Sequence, residues 1–163
     1  MNRIEKHLVP RRRIVNQLRE AGFEVTQVAS QRGYDLLVNG QLRVALRVSF
    51  PRYRSHTVTA RGRRYVYRYR SWHFNFHHHG KINDKYTDVF VCVGLESHRR
   101  SEQAVFVIPW EAVTGKTFSL LAGQKPYAGR YARYRDNWAT ISELLAERNE
   151  RDPARETSLA EVA

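Results

Sequence analysis

The chain has little cysteine, no long apolar run and, through its middle, no acidic residue. Cys92 is the single cysteine among 163 residues, which excludes a disulfide framework or a cysteine-based zinc site and is typical of a reducing cytoplasm. No apolar run approaches the roughly 20 residues of a membrane-spanning helix, and the first residues contain no apolar signal region. We therefore expect a soluble, cytoplasmic protein without a membrane partner.

The missing acidic residues leave a strongly basic centre. Residues 37–83 contain no aspartate or glutamate, and the chain has a formal net charge of +12, most of it from arginine. Guanidinium groups bind phosphate oxygens through two-point contacts, and chains this basic most often meet nucleic acid. We expect a nucleoid-associated protein, and the alternatives are a solvated basic surface or a ribosome-associated protein.

Size and composition indicate one globular domain. The hydrophobic fraction is 42%, which is ordinary for a folded chain of this length. We expect a single domain over residues 1–148, followed by a mobile charged tail over residues 149–163. A helix is predicted from Pro10 to residue 21 with Gly22 as its stop, a strand over residues 23–28, and a second helix over residues 136–147.

The sequence predicts a β-hairpin over residues 33–49, around which the other predicted elements are arranged. A short apolar run, residues 36–38, is followed by Asn39-Gly40, a dipeptide that favours a tight turn. Residues 42–49 then alternate apolar and polar side chains, the period of a half-buried strand. Asp35 opens this hairpin and Arg47 lies near its far end, so both side chains belong at one end of the pair.

A second, basic hairpin is predicted over about residues 51–71. Strands over residues 57–60 and 65–69 flank the turn Arg61-Gly62-Arg63. A two-stranded ribbon fits the major groove of DNA, where its arginines can reach phosphates or guanine edges. The alternative is an extension that packs its tyrosines on the domain, and both can hold, with tyrosines inward and arginines outward. The basic residues expected to contact nucleic acid are Arg52, Arg54, Arg61, Arg63, Arg64, Arg68, Arg70, His77, His78 and Lys81.

Two further apolar runs, residues 87–94 and 104–108, predict central strands of a sheet covered on both faces. Residues 110–113 predict a helical turn. Aromatic residues then recur at intervals of three or four, which favours a helix with an aromatic stripe toward the core. These residues are Tyr127, Tyr131, Tyr134 and Trp138.

This order of elements resembles the PD-(D/E)XK (restriction-endonuclease-like) nuclease superfamily, and is most similar to its small members associated with homing and mobile elements. The resemblance covers roughly residues 11–108. It lies in Gly33-Tyr34-Asp35-Leu36-Leu37-Val38, in residues 42–49, and in the strands that begin near Tyr86 and Val105. It implies an α/β fold with a mixed central sheet flanked by helices. Because two DNA strands need two sites, it also leaves a homodimer open.

The resemblance implies a catalytic pattern that this chain keeps only in part. In the family an aspartate and a second acid hold Mg²⁺, which activates water, and a lysine stabilises the charge at phosphorus. The corresponding positions here are Asp35, Ala45 and Arg47. Ala45 offers no oxygen and Arg47 stays protonated, so the active-site motif is degenerate.

Other residues are candidates for the lost acid. Glu24 on the preceding strand, Glu20 in the first helix and Asp88 at the head of its strand can each supply a carboxylate. The structural alternative for Asp35 is a partly buried ion pair with Arg47. His73 and the run His77-His78-His79 offer imidazoles, but consecutive residues of an extended chain point in different directions, so contact with phosphate or bases is favoured over metal binding.

The leading hypothesis is a cleavage-deficient protein that binds double-stranded DNA and needs no cofactor. The competing hypothesis is a Mg²⁺-dependent DNA endonuclease that uses Asp35 as a metal ligand with a relocated acid. A third is an RNA-binding protein whose aromatic side chains stack on unpaired bases.

Overall fold

The computed structural model describes residues 5–28, 33–78, 81–82, 86–95, 102–122 and 129–151, without the side chains of residues 5–8, 77–78, 81–82 and 102–103. Neither helix in these ranges is long and apolar enough to cross a membrane. The elements are α1 (Glu5–Glu20), β1 (Val25–Gln27), β2 (Leu36–Val38), β3 (Leu42–Ser49), β4 (Arg52–Ala60), β5 (Arg63–Asn75), β6 (His77–His78), β7 (Lys81–Ile82), β8 (Val89–Leu95), β9 (Glu102–Pro109), β10 (Thr117–Leu121) and α2 (Ala139–Arg151).

The first sheet is mixed and has the strand order β1-β2-β3-β8-β9. Strand β3 pairs antiparallel with β2 and parallel with β8, and β8 pairs antiparallel with β9. The central hairpin is confirmed: β2 and β3 are joined at Asn39 (φ 48°) and Gly40 (φ 65°), the left-handed conformation that this dipeptide tolerates. The α/β class predicted from the sequence is therefore correct.

Helices cover one face of this sheet. Ile14 and Leu18 of α1 and Ile141 and Leu145 of α2 belong to one buried cluster with the apolar residues of the sheet. The expected mixed sheet is therefore flanked by helices on this face. The other face packs against a second sheet, because β5 supplies the large buried aromatic side chains of Trp72 and Phe74, and Phe76 follows directly after the strand.

The second sheet has the order β10-β5-β4 and carries the basic hairpin. The predicted turn at Arg61-Gly62 is confirmed, with φ of 49° and 73°. The strands are longer than predicted: the carboxyl-terminal half of β5 pairs with β10 and enters the core, whereas its amino-terminal half pairs only with β4. The hairpin therefore projects from a base that the core holds in place.

Several boundaries differ from the prediction. Helix α1 begins at Glu5, so Pro10 lies inside it, past the first turn, where proline leaves one backbone hydrogen bond of the helix unmade because it has no N–H. Helix α2 starts later and runs to Arg151, past the predicted start of the tail; residues 152–163 lie outside the described residues. Strand β9 is an edge strand, covered by a bridge from Arg135 to Phe106.

The aromatic stripe does not form one helix. Tyr131 precedes a short 3₁₀ turn and Tyr134 is its last residue, and both are buried against the second sheet. Trp138 packs instead in the other cluster with the helices. Burial of these side chains is as predicted, but their helical arrangement is wrong because the chain changes direction at Asp136 (φ 50°). Tyr127 lies outside the described residues.

Candidate nucleic-acid interface and the Asp35 cluster

The pairing register of β4 and β5 sorts the hairpin side chains onto two faces. Residues directly opposite each other on antiparallel strands point to the same side. The tyrosine face carries Arg52, Arg54, His56, Val58 and Ala60 opposite Ser71, Tyr69, Tyr67, Tyr65 and Arg63. The arginine face carries Tyr53, Ser55, Thr57 and Thr59 opposite Arg70, Arg68, Val66 and Arg64.

Both faces of the hairpin are open to solvent. The side chains of Tyr53, Tyr67 and Tyr65 are 82%, 57% and 43% exposed. The alternative in which these tyrosines pack inward is therefore wrong. Tyr53 is partnered on its own face by Arg70, whose guanidinium lies 6.0 Å from the ring centroid.

The seven arginines of the hairpin have no acidic partner in the part of the chain that the structure describes. Arg61 stands at the exposed tip, and three arginines lie on each face. A ribbon with unpaired guanidinium groups on both faces and at its tip concentrates positive potential there, and such potential attracts polyanions.

Asp35, which directly precedes β2 of the first sheet, lies in a compact cluster of polar contacts. Its Oδ2 accepts the backbone N–H of Leu46 at 2.8 Å. The guanidinium groups of Arg47 and Arg11 each lie 3.7 Å from its carboxylate. Arg11 also donates to the carbonyl oxygens of Asp35 (2.8 Å) and Val28 (3.1 Å). The ion pair between Asp35 and Arg47 is confirmed; the contact with Arg11 was not predicted, because it joins residues far apart in sequence.

Arg47 links the two sheets. It donates from Nε to the carbonyl oxygen of Asn75 at 2.9 Å and from Nη1 to that of Leu46 at 2.9 Å. Its guanidinium also lies over the ring of Phe90, 5.6 Å from the centroid. These contacts use the planar fork of arginine, so Arg47 has a structural role in holding β5 against β3.

Ala45, at the position that the resemblance would assign to a second acid, is fully buried. It pairs with Phe90 of β8 and belongs to the aromatic cluster between the sheets. A charged side chain there would replace an apolar contact in the core, which is costly without a partner.

The structure does not bring the proposed replacement acids to Asp35. The backbone of Glu24 exchanges hydrogen bonds with Asn39, at the turn end of β2, about 13 Å along the strand from Asp35. Glu20 is exposed in the last turn of α1, about 13 Å along the helix axis from Arg11.

Asp88 is held by arginines at a separate point. Its carboxylate accepts the backbone N–H (2.7 Å), Nε (3.0 Å) and Nη2 (2.8 Å) of Arg43, and forms an ion pair with Arg148 of α2 at 2.5 Å. The hydrogen bonds to Asp88 raise the pKa of Arg43 above its ordinary value. These contacts connect β3 and α2 to the start of β8, and they use the carboxylate of Asp88 for binding to arginines.

The predicted metal donors do not fit Mg²⁺. Asp35 supplies one carboxylate between two guanidinium groups, which repel a divalent cation and replace the oxygen ligands that Mg²⁺ prefers. Within the described ranges, no three His, Cys, Asp or Glu side chains are grouped to hold a metal ion.

The histidine run is described only in its backbone. β6, with His77 and His78, pairs with β7, placing His78 opposite Lys81. The side chains of these three residues, and all of His79, lie outside the described residues, so their contact with nucleic acid stays a prediction. His73, by contrast, lies on β5 beside Ser119.

The chain was compared with protein-family models, curated proteins and solved structures, and none of these matches it.

Proposed function

We propose that the protein binds double-stranded DNA through the projecting hairpin and does not cleave it. The observation that carries the proposal is the exposed, acid-free ribbon of β4 and β5, with arginines on both faces and at its tip. A two-stranded ribbon has the width that the major groove admits. Arginines on both faces allow contacts with the phosphates of both strands that border the groove.

The Asp35 cluster favours binding without cleavage. Its carboxylate is used by Leu46 and two arginines, and Ala45 is buried among aromatic rings. The mixed sheet, with an antiparallel hairpin followed by a parallel strand, is compatible with a restriction-endonuclease-like fold. We therefore infer a nuclease-like scaffold retained for DNA binding, and expect nucleoid association to follow from it.

RNA binding is the second candidate, and the tyrosine face favours it. Tyr65 and Tyr67 are exposed side by side on one strand, about 7 Å apart at the two-residue repeat of a strand. Exposed aromatic rings beside arginines are typical of single-strand binding. Competition between duplex DNA and single-stranded RNA for the protein separates the two candidates.

The test is the salt dependence of binding to a duplex of arbitrary sequence. Replacing Arg64, Arg68 and Arg70 with alanine removes the charges of the arginine face. We expect weaker binding and a slope of log K against log [salt] that is smaller by about 2–3, since each lost phosphate contact contributes about 0.9.

The matched control replaces Arg12, Arg130 and Arg151, which are exposed outside the hairpin. This variant changes the net charge by the same amount, but its slope of log K against log [salt] should stay close to that of the wild type. Equal losses in both variants, or salt-independent binding by the wild type, would overturn the proposal.

A further inference from the structure

The tyrosine face continues from the hairpin onto the body of the protein, where it forms a groove of about 340 Å³. The register places Ser119 of β10 opposite His73 of β5, Leu121 opposite Ser71, and Arg54 of β4 opposite Tyr69. The groove is lined by Arg54, Tyr69, Ser71, His73, Ser119 and Leu121. Three strands thus bring a cation, two hydroxyls, an imidazole and an aromatic ring to one concave surface.

His73 has a fixed orientation in this groove. Its Nδ1 lies 2.7 Å from Oγ of Ser119, and its backbone N–H donates to Oγ of Ser49 at 2.9 Å. The ring is therefore held from one side by Ser119. Its other nitrogen, Nε2, is on the opposite edge of the ring, which is the part of the imidazole available to a ligand.

Ser71 provides an independent sign of a missing partner. It is 3% exposed, and its Oγ has no hydrogen-bond partner in the structure. A buried hydroxyl without a partner costs free energy, and such groups are uncommon in native proteins. Rotation about χ1 moves Oγ between staggered positions, so an acceptor in the groove that Ser71 lines can recruit this hydroxyl as a donor.

We infer that this groove binds a phosphate group. The side chains named above supply N–H and O–H donors and one positive charge, and the lining contains no carboxylate. Phosphate oxygens accept such bonds, and their negative charge pairs with the positive guanidinium group of arginine. Tyr69 and Leu121 at the same groove offer apolar surface to a sugar or base attached to the phosphate.

The source of the phosphate is either a nucleic-acid strand or free phosphate in solution. Binding of a nucleic-acid phosphate extends the proposed function and rests on it, because a nucleic-acid strand bound along the tyrosine face would continue into the groove. Three probes separate the sources: inorganic phosphate, and one short duplex prepared with a 5′-phosphate or with a 5′-hydroxyl.

The experiment follows the imidazole ¹⁵N signals of His73 in the full-length protein while each probe is added. We expect inorganic phosphate and both duplexes to shift these signals, because the internal phosphates of a strand reach the groove; shifts with inorganic phosphate alone would assign the groove to free phosphate. We expect Ser71→Ala to weaken the apparent affinity for phosphate about fivefold, as expected for one lost hydrogen bond. Ser55→Ala is the matched control, since Ser55 is exposed on the arginine face.

Ser71→Ala should fold normally, because it removes an unpartnered hydroxyl. Unchanged His73 signals with inorganic phosphate, or equal affinities of Ser71→Ala and wild type, would overturn the inference. Duplex binding that keeps its salt dependence in that case leaves the proposed function standing. Conversely, phosphate-dependent shifts without any duplex binding support the groove and reject the DNA proposal.

Discussion

Asp35 accepts the backbone N–H of Leu46 at 2.8 Å, across the pair of strands that the resemblance places at a nuclease active site. A carboxylate bound in this way to its neighbouring strand, with arginines 3.7 Å away on two sides, stabilises the hairpin. In this protein Asp35 therefore has a structural role, because its carboxylate holds the neighbouring strand and two arginines.

Asp35→Asn tests this role. Asparagine keeps an oxygen for the N–H of Leu46 but loses the charge facing Arg11 and Arg47, so we expect a loss of about 1 kcal/mol in the free energy of unfolding. Asp35→Ala also loses the hydrogen bond and should cost about 2–3 kcal/mol. Chemical denaturation measures both, and affinity for duplex DNA should not change.

A plasmid-nicking assay tests whether Asp35 instead takes part in DNA cleavage. Supercoiled plasmid incubated with wild-type protein and Mg²⁺ or Mn²⁺ should stay intact. Nicking by the wild type that disappears in Asp35→Ala would show that this carboxylate takes part in catalysis, and the binding-only proposal would then be wrong.

Asp88→Asn should loosen the junction of β3, β8 and α2. The carboxylate receives three hydrogen bonds from Arg43 and an ion pair from Arg148, and removing its charge leaves both guanidinium groups without their acid. We expect a loss of about 2 kcal/mol in unfolding free energy. Glu147→Gln is the control: its pair with Arg151 is exposed and 4.0 Å long, so less than about 0.5 kcal/mol should be lost. Equal effects would contradict the role of Asp88.

Gly94→Ala should destabilise the contact between the two sheets. A Cβ on Gly94 would lie 2.7–3.0 Å from ring atoms of Trp72, and Trp72 is buried with its Nε1 donating to the carbonyl oxygen of Leu95 at 3.0 Å. Moving the indole should cost about 1–3 kcal/mol. Thermal unfolding and tryptophan fluorescence report the change. Gly115→Ala, whose Cβ would meet an ordinary contact at 3.8 Å, should keep wild-type stability; a Gly94→Ala protein as stable as this control would refute the packing argument.

The buried thiol of Cys92 predicts a loss of stability in alkali. Burial raises the pKa of Cys92 from 9.0 to about 12, against a smaller opposing effect of Arg47. Between these values the unfolded chain has lost the proton and the folded protein keeps it, so the free energy of unfolding falls as pH rises, by up to about 1.4 kcal/mol per pH unit.

The Cys92→Ala variant lacks the thiol, so comparing it with wild type separates the effect of this thiol on stability from that of other groups that titrate in alkali. The stability advantage of wild type over Cys92→Ala should shrink from pH 9 upward in urea unfolding, and a constant difference would contradict the prediction. At neutral pH the folded wild type should also resist thiol alkylation until it unfolds.

Local pattern was sufficient for strand β3 and for the two hairpin turns. The two-residue alternation over residues 42–49 predicted β3 with its bounds, and Asn39-Gly40 and Arg61-Gly62 predicted both hairpin turns, because side-chain period and positive φ are properties of neighbouring residues. The projecting basic hairpin followed from the same signals.

The sequence alone thus determined the charge and the two hairpins. Only the tertiary structure decided that Arg11 reaches Asp35, that Glu24 lies at the wrong end of β2, and that β10 brings Ser119 to His73. These contacts join segments distant in the chain, and they are set by which apolar faces pack together, since the burial of Trp72, Phe74 and Phe76 fixes where every attached polar side chain must lie.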